Sequence, residues 1–421
     1  MLGLVLTAGG ARGAYQAGVL KRIGELPVFR RARSPFQIVA GASAGAINGA
    51  TLAARSGDFH AATRALADMW SELRVPDVYR TDALSLSLNG LRFLQDLLLG
   101  GAIGRAGVQS LLNAAPLRAF LGERLRLKDI GESIRRGHLY AVAVTATSYH
   151  SGKSFTFIQG QPGHPVWRKA RRVALPVELT LDHVLASAAI PIVFQPVCLR
   201  TAAGEFWFGD GGLRLVTPLS PAIRLGASKV FAVGIRCQRA ADDLSQTELL
   251  GTGEGKPVMP QPPLSQICGV FLNAIFLDHL DTDLDHLKRM NELILAHASS
   301  RASAPVANDG PVLSEPMRIV ESMVVNPSED LAIVASHLAH RMPRLVRYLM
   351  DGLGTPDAQS ADLMSYLLFD STYTRALVDI GYRDAGARID AIEQFVTEQL
   401  PTAALPVRMR RRAAPAPTEP H

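Results

Sequence analysis

The sequence predicts an α/β protein whose chemistry gathers at one edge of a sheet, and three segments carry that prediction. Met1-Leu2-Gly3-Leu4-Val5-Leu6 enters the turn Thr7-Ala8-Gly9-Gly10-Ala11-Arg12-Gly13. Phe36-Gln37-Ile38-Val39 enters Gly41-Ala42-Ser43-Ala44-Gly45, and Phe206-Trp207-Phe208 ends in Gly209-Asp210-Gly211-Gly212. Short apolar runs that end in glycine and open a helical segment have the pattern of strands buried on both faces. A right-handed crossover makes the first two strands parallel neighbours, so their turns emerge at the same sheet edge.

Gly-x-Ser-x-Gly between a strand and a helix is a nucleophile elbow, in which the flanking glycines let the chain turn sharply and push the serine hydroxyl outward. Ser43 is therefore the candidate nucleophile. The small residues after it, Ala44-Gly45-Ala46-Ile47-Asn48-Gly49-Ala50, suit a helix packed close to the sheet, with its N-terminus facing an anion. The first turn has the same strand-glycine-helix plan. Its backbone N–H groups, from Gly9 and Gly10 to Ala11 and Arg12, are placed to receive a tetrahedral oxyanion, where one lost donor costs roughly 3 kcal/mol.

A serine needs a base. None of the 11 histidines sits in a turn shaped for the role; His183 reads as a helix-face residue. Asp210, ending an aromatic strand in a flexible glycine loop, is the better candidate, so the residues predict a Ser-Asp dyad. Arg12 reads as a helix-start cation, as a group holding its loop, or as a contact for a lipid phosphate, with the structural role favoured.

These motifs together resemble the patatin-like phospholipase family, in its bacterial form. Residues 4–20 resemble its glycine-rich opening, Gly41-Ala42-Ser43-Ala44-Gly45 its nucleophile motif, and Asp210-Gly211-Gly212 its acidic motif. Ala186-Ser187-Ala188-Ala189-Ile190-Pro191-Ile192-Val193-Phe194-Gln195-Pro196-Val197 is similar to the segment that precedes the aspartate in bacterial members. The resemblance implies a three-layer α/β/α sandwich with a mixed central sheet, followed by a helical C-terminal region. It also implies hydrolysis of lipid acyl esters through Ser43 and Asp210, with Gly9, Gly10, Ala11 and Arg12 as the oxyanion hole and no metal or cofactor. Gly13, Gly41, Gly45, Gly211 and Gly212 support the three turns. Where the family has glycine this chain has Ala8, which implies either a shifted first donor or an alanine that is simply the last strand residue.

Other functions fit less well. Ala8-x-Gly10-x-x-Gly13 nearly matches a dinucleotide fingerprint, but the second strand ends in Gly41-Ala42-Ser43 where an acidic ribose ligand belongs. A P-loop needs a Lys-Ser/Thr ending that is absent. An ordinary α/β-hydrolase reaches its elbow after several strands and orders its triad Ser, Asp/Glu, His, whereas here the elbow ends the second strand. A soluble esterase or thioesterase of small acyl substrates, and a non-catalytic lipid-binding scaffold, remain as rival readings of the same motifs.

Length and composition agree with a large enzyme: 421 residues, 48% hydrophobic, enough for two or three domain-sized units. Residues 1–238 read as the catalytic domain, 239–263 as a loop or linker, 264–400 as a helical region and 401–421 as a disordered basic, proline-rich tail. Leu139-Tyr140-Ala141-Val142-Ala143-Val144-Thr145-Ala146 and Val230-Phe231-Ala232-Val233-Gly234-Ile235 read as further buried strands, and residues 58–130 as mainly helical. The leucine-rich stretch 84–99 reads as a core helix or an apolar lid.

Three scattered cysteines argue against a disulfide framework or a metal site. With no secretory signal and no run of about 20 apolar residues, the expected place is the cytoplasm. The net charge of +6, gathered at residues 30–33, 168–172 and 408–412, is compatible with peripheral contact to an anionic membrane, at about 1 kcal/mol per basic residue. No nucleic-acid-binding motif accompanies it, and oligomeric state is not encoded in any visible pattern.

Overall fold

The computed structural model describes residues 1–80, 110–201, 203–238, 279–302, 318–343 and 361–398, with single positions at 261, 267, 270, 273, 274 and 347. The 84–99 stretch, most of the 239–263 linker and the 401–421 tail lie outside the described residues.

A mixed sheet forms the centre. Its strands are β1 (Leu2–Leu6), β2 (Ile38–Ala42), β3 (Ala141–Ser148), β4 (Ser154–Gly160), β5 (Arg172–Pro176), β6 (Val197–Thr201), β7 (Gly204–Gly209), β8 (Lys229–Val233) and β9 (Glu321–Val325). They run in the order β5-β4-β3-β2-β1-β8-β9, and the β6–β7 hairpin joins at the end of β3. β3, β2, β1, β8 and β9 are mutually parallel, so the turns after β1 and β2 leave at one edge as expected, with Leu6 opposite Gly41. β3 pairs antiparallel with β4 and with β7, and the β7 pairing through Thr147 and Gly209 brings the chain before Asp210 to that same edge.

Alternation along each strand separates two cores. Leu4, Leu6, Val39, Val142 and Val144 face a layer containing the helices α1 (Gly13–Gly24), α2 (Ala44–Ala54) and α3 (Phe59–Glu72). Val5, Ile38, Ala40, Ala141, Ala143, Val230 and Ala232 face the opposite layer, with the Ser220–Arg224 helix and Leu280 and Leu284 of the His279–Ala302 helix. Period-two side-chain direction in strands covered on both faces produces the three-layer sandwich.

The region read as helical, 264–400, also supplies a strand. Glu321-Ser322-Met323-Val324-Val325 pairs with β8 because its partly apolar, partly β-branched sequence completes an open sheet edge. The Ser371–Ala387 helix docks on α1 backbone to backbone, since a Cβ on Gly18 would lie 2.0 Å from Val378 O and one on Gly381 2.2 Å from Tyr15 O. The expected boundary at 238 is therefore crossed by extensive packing.

Candidate active site

Ser43 sits between β2 and α2 with φ 55° and ψ −126°, a conformation that favours glycine. Such strain persists only where the surroundings over-determine it. Here they do. A Cβ on Gly41 would meet Gly45 O at 2.1 Å, and one on Gly45 would meet Leu6 O at 2.2 Å, so the elbow closes on itself and on the end of β1. The Ser43 N–H donates to Ser187 Oγ at 3.0 Å, and that hydroxyl donates to Thr145 O at 2.5 Å. One buried side chain therefore ties the elbow to β3.

Asp210 is fully buried at the end of β7. Its N–H donates to Ala189 O at 2.9 Å, and its carbonyl accepts from Thr147 Oγ1 at 2.8 Å. Gly211 lies directly over Thr145 O and beside Ala42, which places the acidic turn against the end of β2. Within the carboxyl, Oδ1 accepts from the Gly212 N–H at 2.8 Å. Oδ2 is buried and lacks a hydrogen bond of ordinary geometry. Burial pushes this carboxyl up to about 7, opposed by the Ser43 hydroxyl and the Gly212 amide, which favour the charged form. The Ser43 hydroxyl and the Asp210 carboxyl thus interact across the turn without a hydrogen bond of ordinary geometry.

The opening turn lies beside them. Ala8 is buried and is absent from the residues with positive φ, and Gly9 is extended at φ 169°, so alanine at position 8 is unstrained. The left-handed residue is Gly10, at φ 54°. One amide of the turn already has a partner inside it. The Arg12 amide already donates to Gly9 O at 3.1 Å within the turn, which leaves Gly9, Gly10 and Ala11 as the candidate donors. The Arg12 side chain is buried, donates from Nε to Ser365 Oγ at 2.7 Å, pairs with Asp362 Oδ1 at 2.7 Å and lies over the Tyr366 ring. It therefore holds its loop, and its burial removes it from contact with a lipid phosphate. Gly13, at the start of α1, packs against Ala44 and Trp70.

A narrow cleft opens at Gly10, Ser43 and Ala44. Its remaining walls are Ile47, Met69, Trp70, Leu73, Val78, Leu117, Phe120, Leu121, Ala188, Ile190, Phe194 and Phe369. Among the described residues no charged side chain lines it, so it suits an apolar group.

His183 is occupied elsewhere: its Nδ1 accepts from the Thr180 N–H at 3.1 Å, its ring packs on Phe157, and burial lowers its pKa to about 4. Three supporting residues escaped sequence reasoning: Ser187, Thr147 and Tyr149, whose phenol packs over Gly209 and whose pKa is raised by burial and by Asp210. Only Ser187 left a trace, as a lone hydroxyl in an alanine-rich stretch.

No match to a curated protein sequence was found. Among solved structures the chain is similar to VipD from Legionella pneumophila, at 14% identity and TM-score 0.33, covering 92% of this chain and 66% of that one. It is also similar to ExoU, solved with SpcU from the type III secretion system of Pseudomonas aeruginosa, at 16% identity and TM-score 0.27, covering 62% and 48%. Human GIVD cytosolic phospholipase A2, solved with methyl gamma-linolenyl fluorophosphonate, matches at 14% identity and TM-score 0.32, covering 94% and 59%. The chain thus spans between about half and two thirds of the length of these neighbours. The family model described as patatin-like phospholipase matches residues 4–223, just over half of the chain, and takes in the opening turn, the elbow and the acidic turn. By that match the chain belongs to the patatin-like phospholipase family.

Proposed function

We propose that this protein is a serine lipid acyl hydrolase of phospholipase A or lysophospholipase type, working through a Ser43–Asp210 dyad. The observation that carries the reading is a strained Ser43 at the mouth of an apolar cleft, facing a buried carboxyl with one unpartnered oxygen. A fatty-acyl chain lies in the cleft, with its ester carbonyl at Ser43. Asp210 Oδ2 takes the hydroxyl proton while Oγ attacks the carbonyl carbon. The carbonyl oxygen becomes an oxyanion, held by the Gly10 and Ala11 amides, with Gly9 alongside.

Collapse of this intermediate expels the alcohol, which leaves with the proton from Asp210 and yields an acyl-enzyme. Water then attacks the acyl carbon, giving its proton to Asp210, and the second collapse releases the fatty acid as the proton returns to Ser43 Oγ. Asp210 must be ionised to begin, so kcat/KM is expected to rise as pH passes through about 7.

The lipid character of the substrate is supported by the apolar lining of the cleft among the described residues. Contact with a lipid surface belongs to the same proposal, because Ile192, between the cleft residues Ile190 and Phe194, is 67% exposed. Among the described residues no helix is long and apolar enough to cross a membrane. The test uses Ser43→Ala and Asp210→Asn on dispersed and vesicle-borne phospholipid. Both variants are expected to fold and to lose ester cleavage, and retained hydrolysis in either would refute the dyad. Activity that does not jump when substrate forms vesicles would point to a small-ester hydrolase. Failure of a fluorophosphonate to label Ser43 would point to a lipid-binding scaffold.

A further inference from the structure

We propose that the Ala361–Leu367 helix is a positioning element of the reaction, with Asp362 and Ser365 fixing the oxyanion turn through Arg12. This rests on the serine-hydrolase reading above and extends it to residues far outside the matched stretch.

The turn is held at two points, one on either side of Ala11. On one side, Gly10 adopts φ 54° directly beneath Tyr366 O, where an added Cβ would stand 2.4 Å from that oxygen. On the other, the Arg12 guanidinium divides its donors between Ser365 Oγ and Asp362 Oδ1 and stacks on the Tyr366 ring, 4.5 Å from its centre. The partners are themselves fixed. Asp362 Oδ2 accepts from Asn273 Nδ2 at 2.7 Å, and Asn273 Oδ1 accepts from the Tyr366 hydroxyl at 3.1 Å.

The same segment reaches the cleft. Tyr79 donates to Leu367 O at 3.3 Å, and Phe369 forms part of the cleft wall. A buried fork of this kind fixes orientation as well as distance, which a lysine or a solvated arginine could not do. Oxyanion donors act only when already aimed at the developing charge, so a turn free to shift by a few tenths of an ångström would bind substrate and still fail to stabilise the transition state. The Arg12 pair therefore governs kcat and leaves binding to the apolar cleft.

The test compares wild type with Asp362→Asn, Ser365→Ala and Arg12→Lys, measuring kcat, KM, the pH midpoint of kcat/KM and the rate of Ser43 labelling by a fluorophosphonate. Asp362→Asn keeps an acceptor for Arg12 but loses the charge. Its kcat is expected to fall about ten- to a hundredfold with KM within about twofold, and labelling to slow in parallel, because phosphonylation builds charge on the same oxygen. The pH midpoint stays in place, since Asp210 is untouched. Arg12→Lys is expected to follow Asp362→Asn, and Asp362→Glu to recover part of the loss.

An unchanged kcat in folded Asp362→Asn, a loss confined to KM, or a moved pH midpoint would overturn the proposal. If Asp362→Asn does not fold, Ser365→Ala decides, because it removes the acceptor for Arg12 Nε, together with the hydroxyl's donation to Asp362 O, and leaves the ion pair. A severalfold loss of kcat at constant KM supports the proposal, and none overturns it. Ser43→Ala, run in parallel, separates the two readings. Hydrolysis surviving in that variant defeats the serine mechanism itself, whereas its loss beside full activity in the Asp362 and Ser365 variants defeats only the positioning role.

Discussion

Replacing Asp210 by Asn should abolish hydrolysis and, at alkaline pH, make the protein more stable. The carboxyl has its ordinary value of 3.8 in the unfolded chain and is pushed up to about 7 in the fold, chiefly by burial. Between those two values the native state binds a proton that the unfolded state does not. The unfolding free energy therefore falls as pH rises through this window and levels off above about 7. At 1.36 kcal/mol per pH unit, the ionised Asp210 costs up to ~4 kcal/mol of stability on the alkaline side.

Asn has nearly the same shape, can keep the acceptor for the Gly212 N–H, and offers an amide toward the Ser43 hydroxyl where Oδ2 had no hydrogen bond. Wild type and Asp210→Asn should therefore have similar stability near pH 4 and diverge steadily, the variant leading by up to ~4 kcal/mol near pH 8.5. Denaturant midpoints measured across that range at constant ionic strength, with unchanged m-values, provide the test. Parallel stability curves for the two proteins would refute the claim that the fold holds this carboxylate at a cost. A variant that falls below wild type as pH rises would reverse its sign.

Ser43→Gly relieves the φ 55° strain, so it should raise stability by about 1 kcal/mol or more while eliminating activity, read from a denaturation midpoint and an ester assay. Ser187→Ala removes the acceptor for the Ser43 N–H and the donor to Thr145 O. It is expected to cost ~1–3 kcal/mol and to lower kcat by loosening the elbow, measured by denaturation and steady-state kinetics. Leu121→Trp narrows the cleft at a buried wall position, at ~1–3 kcal/mol of overpacking. Across a series of esters of increasing acyl length, its preference should move to shorter chains while activity on the shortest survives.

Much of the site could be read from neighbouring residues. Gly41-Ala42-Ser43-Ala44-Gly45 specifies its own sharp turn, and continuous apolar runs marked β1, β3 and β8 as strands buried on both faces. Asp210 was legible because glycines surround it at the end of an aromatic strand. The strands β4, β5, β6 and β9 were not, because their patterns are short and mixed and gain meaning only from the partner each one pairs with.

The three turns, their order and the residue types proposed to attack, accept a proton and hold an oxyanion were legible in the sequence, since turn chemistry and side-chain period are properties of adjacent residues. Tertiary structure alone decided how those groups behave. Desolvation brings Asp210 to about 7, the Gly9 carbonyl takes the Arg12 amide, and Asp362, 350 residues away in the chain, neutralises the Arg12 side chain. Burial and ion pairing depend on what packs around a group in space, and no local pattern encodes a partner that arrives from the far end of the chain.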